Sequence, residues 1–169
     1  LSGCGAAAVN QQKDNISPKA RDEIWNSAVR VDRQLTVESN KVNDGESTKV
    51  PTTAHGSGVA IYDNEGGKSY VLTVAHVVLP DSGQTLDRII VVEELANGRT
   101  KEYAATVVKL NETFDLGLLV LEDGTLRHHY AGKLAQKVQV GDIIAGAGFP
   151  KGEQKVYFTG YLASEDPGE

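Results

Sequence analysis

The sequence predicts an all-β protein of two β units, the first complete and the second only begun, preceded by one short helix. Short apolar or alternating runs recur along the chain, and clusters of Asn, Asp, Gly and Pro separate them at fairly regular intervals. Apolar residues at helical spacing are read at one place only, near the start, where a proline follows a serine.

In order, Ser17-Pro18 reads as an N-cap with proline at the first helical position. Ile24, Trp25, Ala28 and Val29 then recur at helical spacing, so a helix is expected over about 18–28. From Val29 the period becomes two: Val29, Val31, Leu35 and Val37 alternate with Arg30, Asp32, Gln34 and Thr36, which gives a strand over 29–37. Residues 39–53 are polar and turn-rich and read as a loop. Further strands are expected at 56–62, 69–75, 87–94, 102–110 and 116–121, parted by Asn64-Glu65-Gly66-Gly67, Pro80-Asp81-Ser82-Gly83 and Asn97-Gly98. Six strands thus precede residue 125, enough to close one small barrel. Runs at 138–147 and 154–163 are expected to pair with each other, and two strands do not hide a core face alone, so they read as the start of a second unit. Their apolar side would include Val138, Val140, Ile143, Ile144, Val156 and Phe158. The expected division is 1–15 for an N-terminal linker, 16–125 for the first barrel and 126–169 for the beginning of the second.

Charge and cysteine content exclude several functions. The 169 residues carry a formal net charge of −6, and the acidic excess lies wholly after residue 50. A nucleic-acid-binding protein needs a basic face, so no nucleic-acid partner is expected. No apolar run reaches the roughly 18–20 residues of a membrane-spanning helix. One cysteine, Cys4, allows neither an internal disulfide nor a zinc cluster with paired thiols. Gly67-Lys68-Ser69 lacks the glycine a phosphate loop has five positions earlier, where Tyr62 stands, and reads as a hairpin turn. Gly146-Ala147-Gly148 is not followed by a helix, so no dinucleotide is implied. Adjacent His128 and His129 would point to opposite faces of a strand and are expected as exposed loop residues between the two units. No metal or cofactor is expected. Trp25 reads as a packing anchor and His55 as a residue at the rim of the Gly56-Ser57-Gly58 strand.

Two residues stand out for chemistry. His76 ends the apolar run Tyr70-Val71-Leu72-Thr73-Val74-Ala75, and Asp115 opens Leu116-Gly117-Leu118-Leu119-Val120-Leu121. Each alone is an ordinary strand-end residue; together they offer a base and the carboxylate that orients it. An imidazole accepts a hydroxyl proton effectively when its other nitrogen donates to a fixed acceptor, and a carboxylate there also stabilises the imidazolium. Their separation of 39 positions suffices for two strands and their turns, so both can meet at one rim of the barrel.

Gly56-Ser57-Gly58-Val59, Thr73-Val74-Ala75-His76, Asp115-Leu116-Gly117-Leu118-Leu119 and Gly148-Phe149-Pro150-Lys151-Gly152 follow the order and rough spacing of motifs in trypsin-like serine proteases, most like the HtrA-like bacterial branch. The resemblance spans about residues 24–165. Val74 stands where the family has a small residue, Gly117 where it has alanine, and Phe149 where it has asparagine. It implies a chymotrypsin-like double β-barrel, polypeptide substrates, His76 as general base and Asp115 as its orienting acid. The family's nucleophile lies in a Gly-x-Ser-Gly turn that also forms the oxyanion hole. The sole serine after Asp115 is Ser164, without that glycine context, so the resemblance implies that the nucleophile lies beyond this chain and that the chain by itself is inert. Rival readings are a catalytically inactive barrel used as a binding module and a protease of the same fold with a cysteine nucleophile. At the N-terminus, Leu1-Ser2-Gly3-Cys4 resembles the lipobox of bacterial lipoproteins, which implies a lipidated Cys4, membrane attachment and a place in the bacterial cell envelope.

Overall fold

A computed structural model describes residues 16–39, 48–133 and 135–163. The lipobox-like segment with Cys4, and Ser164, lie outside the described residues. The elements are α1 (Pro18–Ser27), β1 (Ala28–Ser39), β2 (Thr48–Asp63), β3 (Lys68–Thr73), α2 (Ala75–Val78), β4 (Gln84–Glu94), β5 (Thr100–Asn111), β6 (Leu116–Leu121), β7 (Ile143–Gly148), a 3₁₀ turn (Pro150–Gly152) and β8 (Val156–Tyr161).

The helix forms as its sequence dictates: the Ser17 hydroxyl accepts the Ala20 N–H at 3.2 Å and Pro18 opens the first turn. Ser27 and Ala28 are fully buried, and the chain passes directly into β1. The six strands then close an antiparallel barrel in the order β1-β2-β3-β6-β5-β4, with β4 returning to β1. Its interior is filled by the inward residues of each strand, among them Val29, Val31, Val71, Val91, Leu119 and Leu121. Closure removes the open edges that would otherwise invite other chains to pair.

Several boundaries differ from expectation. Residues 48–53 are strand rather than loop, pairing with the second half of β1 from Gln34↔Thr53 to Ser39↔Thr48. This stretch stands clear of β3, which pairs only with Val59–Asp63, so its polar side chains face water and Pro51 loses no ladder bond on that side. The run at 138–147 begins as strand only at Ile143, because Gln139–Asp142 form a turn in which Gly141 has φ +93° and the Gln139 N–H donates to Asp142 Oδ2.

The segment after β6 is fastened to the barrel by buried polar groups. Ser69 Oγ accepts the Leu126 N–H at 3.0 Å, Glu93 accepts the Arg127 N–H at 2.6 Å and the Tyr103 hydroxyl at 3.0 Å, and Leu126 joins the barrel core. His128 is exposed, but His129 is half-buried, contrary to expectation: it shares a 2.8 Å hydrogen bond with Ser69 and packs against the Tyr62 ring at a tilt of 49°, and burial pushes its pKa down. The two strands β7 and β8 pair antiparallel from Ile143↔Tyr161 to Gly148↔Val156. Lys155 holds this hairpin to α1 by donating to the Trp25 carbonyl at 3.1 Å, with its ammonium over the Trp25 and Phe149 rings. Trp25 is itself exposed, so it serves as a cover for Lys155 rather than as a buried anchor.

Candidate active site

β2 and β3 build the platform. Gly56 and Gly58 let neighbouring side chains close onto the strand: a Cβ at Gly56 would stand 2.4 Å from Val77, and one at Gly58 would stand 2.4 Å from Val71. Between them, Ser57 accepts the Thr73 hydroxyl on its carbonyl and the Phe149 N–H on its Oγ, both short bonds of 2.8 and 2.7 Å. β3 stops at Thr73, and the chain turns through the single-turn helix α2, closed by the Leu79 N–H on the Ala75 carbonyl. His76 therefore lies in a helical turn just past the strand and not at the strand's last residue. Ala75 and Val78 are buried beneath it, which leaves the imidazole exposed.

Asp115 stands immediately before β6 with φ +50°, in the left-handed region that costs an L-residue roughly 1–2 kcal/mol and that Asp tolerates better than most. Three contacts hold it there. Its Oδ1 accepts the His76 backbone N–H at 2.9 Å, its Oδ2 lies 2.6 Å from His76 Nδ1, and its carbonyl accepts the Ala75 N–H at 3.1 Å. Donation from the His76 backbone, then from the His76 ring, holds the carboxyl below the usual carboxylate range. An ionised carboxylate only accepts, so His76 Nδ1 carries the proton and Nε2 is the acceptor. The pair can take a proton from a hydroxyl or thiol at Nε2 and stabilise the imidazolium that results.

The pair opens into a cleft of about 290 Å³ lined by Ala75, His76, Leu79, Pro80, Asp81, Glu112 and Asp115. Asp81 and Glu112 were not singled out by sequence reasoning, because each is an ordinary acidic residue in a turn. A second residue that it missed is Arg33, whose Nη1 donates to the His76 carbonyl at 3.3 Å. Here a signal existed: position 33 falls in the apolar phase of β1, between Val31 and Leu35.

His55 forms a second histidine–carboxylate pair, but in a different setting. Its Nδ1 lies 2.8 Å from Asp32 Oδ1, and Asp32 is also gripped by Arg30 through two bonds of 2.8 and 2.9 Å. Burial alone would raise the Asp32 carboxyl, yet these hydrogen bonds outweigh it and hold the carboxyl below its usual range. The turn at Gly152 packs so closely on the His55 ring that a Cβ there would lie 2.3 Å from it. This pair fastens β1, β2 and the 3₁₀ turn together, whereas His76 and Asp115 face an open cleft.

A closed six-stranded antiparallel barrel with histidine and carboxylate bridged at its rim, followed by a second antiparallel sheet, is the architecture of chymotrypsin-like peptidases. The family model described as the trypsin-like peptidase domain matches residues 56–168, and the chain belongs to that family. The matched stretch contains both His76 and Asp115. A comparison with curated proteins finds no match.

Proposed function

We propose that the chain is the base-and-acid half of a serine endopeptidase of the HtrA-like branch, with His76 as general base and Asp115 as its orienting acid. The observation that carries the reading is the 2.6 Å contact of His76 Nδ1 with Asp115 Oδ2, made at an open cleft. In this scheme Nε2 takes the proton of a serine hydroxyl as it attacks a peptide carbonyl, and later gives it to the leaving amine. The serine and the oxyanion hole belong to chain beyond Glu169, in the second β unit that starts with β7 and β8. Residues 16–125 supply the barrel that presents the pair, with Leu126 and Arg127 fastened to it, and the second unit begins in the chain after them. Cys4, within the 1–15 segment, is the lipidated residue that attaches the protein in a bacterial envelope. Substrates are polypeptides.

The encoding DNA provides the first test: a Gly-x-Ser-Gly turn within about 60 codons of Glu169 is expected, since that turn supplies both nucleophile and oxyanion donors. Gly-x-Cys-Gly there would turn the enzyme into a cysteine protease of the same fold, and neither motif would leave a barrel that only binds. With the serine present, cleavage of a fluorogenic casein is expected to fall by about 10⁴-fold or more in His76→Ala.

A further inference from the structure

We propose that Arg33 is a positioning residue for the His76–Asp115 pair, an inference that rests on reading that pair as base and acid. Arg33 lies on β1 in the inward phase shared by Val29, Val31 and Leu35, and its side chain is only 7% exposed. A cation there is costly, because burial strips it of water and few groups compensate. Its partners are the His76 carbonyl, bonded to Nη1 at 3.3 Å, and the Asp81 carboxylate, 3.8 Å from Nη2 and itself 75% exposed. Arg33 Nε has no hydrogen-bond partner among the described residues. For barrel stability alone, an apolar side chain of similar volume at this position would serve as well or better.

What arginine supplies is a hold on one short segment at both of its ends. His76 opens the stretch 76–81, Asp81 closes it, and the rigid guanidinium fork reaches both. The His76 backbone is then fixed on two sides, its N–H by Asp115 Oδ1 at 2.9 Å and its carbonyl by Arg33. With the peptide groups on either side pinned, the imidazole keeps the short Nδ1 contact with Asp115 although the ring itself is open to water. Positioning of this kind matters because small displacements of a base cost large factors in rate.

The test uses the full 169-residue chain labelled with nitrogen-15. The His76 Nδ1 proton, held against Asp115, is expected as a low-field resonance whose exchange with water the hydrogen bond slows, and absent in Asp115→Asn. In Arg33→Met, its exchange with water is expected to rise about tenfold, the factor that one hydrogen bond from a charged donor is worth, while the thermal midpoint stays level or climbs. Arg33→Lys, which keeps the charge but not the fork, is expected to recover part of the protection. Asp81→Asn, which leaves Arg33 in place, is expected to show a smaller rise, and it decides the matter if Arg33→Met fails to fold. An unchanged resonance in a folded Arg33→Met chain, or in Asp81→Asn where the former is unfolded, overturns the role of Arg33 alone. A parent chain without the low-field resonance overturns the His76–Asp115 reading and this inference with it.

Discussion

Ser57 Oγ accepts the backbone N–H of Phe149 at 2.7 Å, joining the barrel to the β7–β8 hairpin across 92 residues of sequence. Phe149 is nearly fully buried, and its ring lies under the Lys155 ammonium, so this part-buried bond anchors the start of the 3₁₀ turn. The Phe149 side chain is apolar and buried, so at this position the backbone amide alone bonds Ser57.

Ser57→Ala should therefore loosen the hairpin and leave the barrel intact. The Phe149 N–H would be left buried without a partner, which costs about 1–3 kcal/mol. Hydrogen exchange should speed up across 143–161 by the corresponding factor while β1–β6 amides keep their protection. Uniform loss of protection over the whole chain would show that Ser57 supports the barrel itself.

Two glycines in the motifs should respond to alanine in opposite ways. A Cβ at Gly117 meets Leu110, Thr73 and Val78 side chains at 3.4 Å, ordinary contact, and its φ is not positive. Gly117→Ala, which installs the residue that the family pattern has there, should stabilise by about 0.4–1 kcal/mol through the unfolded chain's entropy. Gly56→Ala would press 2.4 Å onto Val77, the neighbour of His76, and should destabilise by roughly 1–3 kcal/mol. Denaturant midpoints of the two variants against the parent decide both signs.

Much of this arrangement was legible in the sequence, and the misses have physical causes. β6 runs over Leu116–Leu121 as its apolar run indicated, since alternate residues enter the barrel core and nothing polar interrupts them. The start of β2 was invisible because residues 49–53 are exposed, so no hydrophobic alternation marks them. Val138 and Val140 imitated strand periodicity, but Gly141 and the Asp142 cap turn the chain before Ile143. The candidate acid and base, each an ordinary strand-end residue when taken alone, were picked out by the order of the motifs Thr73-Val74-Ala75-His76 and Asp115-Leu116-Gly117-Leu118-Leu119. Arg33 was overlooked because a charged residue in a strand is taken as outward, whereas its phase said otherwise.

Stability in acid should depend on Asp115. Its folded-state pKa is depressed below the ordinary 3.8, so the unfolded chain binds the proton more readily. The contribution is complete above that ordinary value and is lost as pH falls through the lower folded one. Asp115→Asn cannot titrate, so its thermal midpoint should decline less steeply than the parent's below about pH 4. Parallel acid limbs for the two proteins would mean that the hydrogen bonds from His76 do not persist in solution.

The exposed face of the hairpin predicts self-association. Ile144, Val156 and Phe158 share one side of the β7–β8 ladder, since Gly146 pairs with Phe158 and Gly148 with Val156, and they are 45, 44 and 56% exposed. Among the described residues, β7 and β8 pair only with each other, so each also offers a row of backbone groups to another chain. A contiguous apolar patch beside an open strand edge favours pairing between copies. Replacing Ile144 and Phe158 together by lysine adds charge at that face without touching the barrel core, and the double variant should stay monomeric at concentrations where the parent elutes early from size exclusion. Its thermal midpoint should remain within about 1 kcal/mol equivalent of the parent's, as expected for exposed positions away from caps and cores. If instead the double variant melts far lower while the parent is already monomeric, then this face is packed in solution and the hairpin completes the barrel's own structure rather than extending from it.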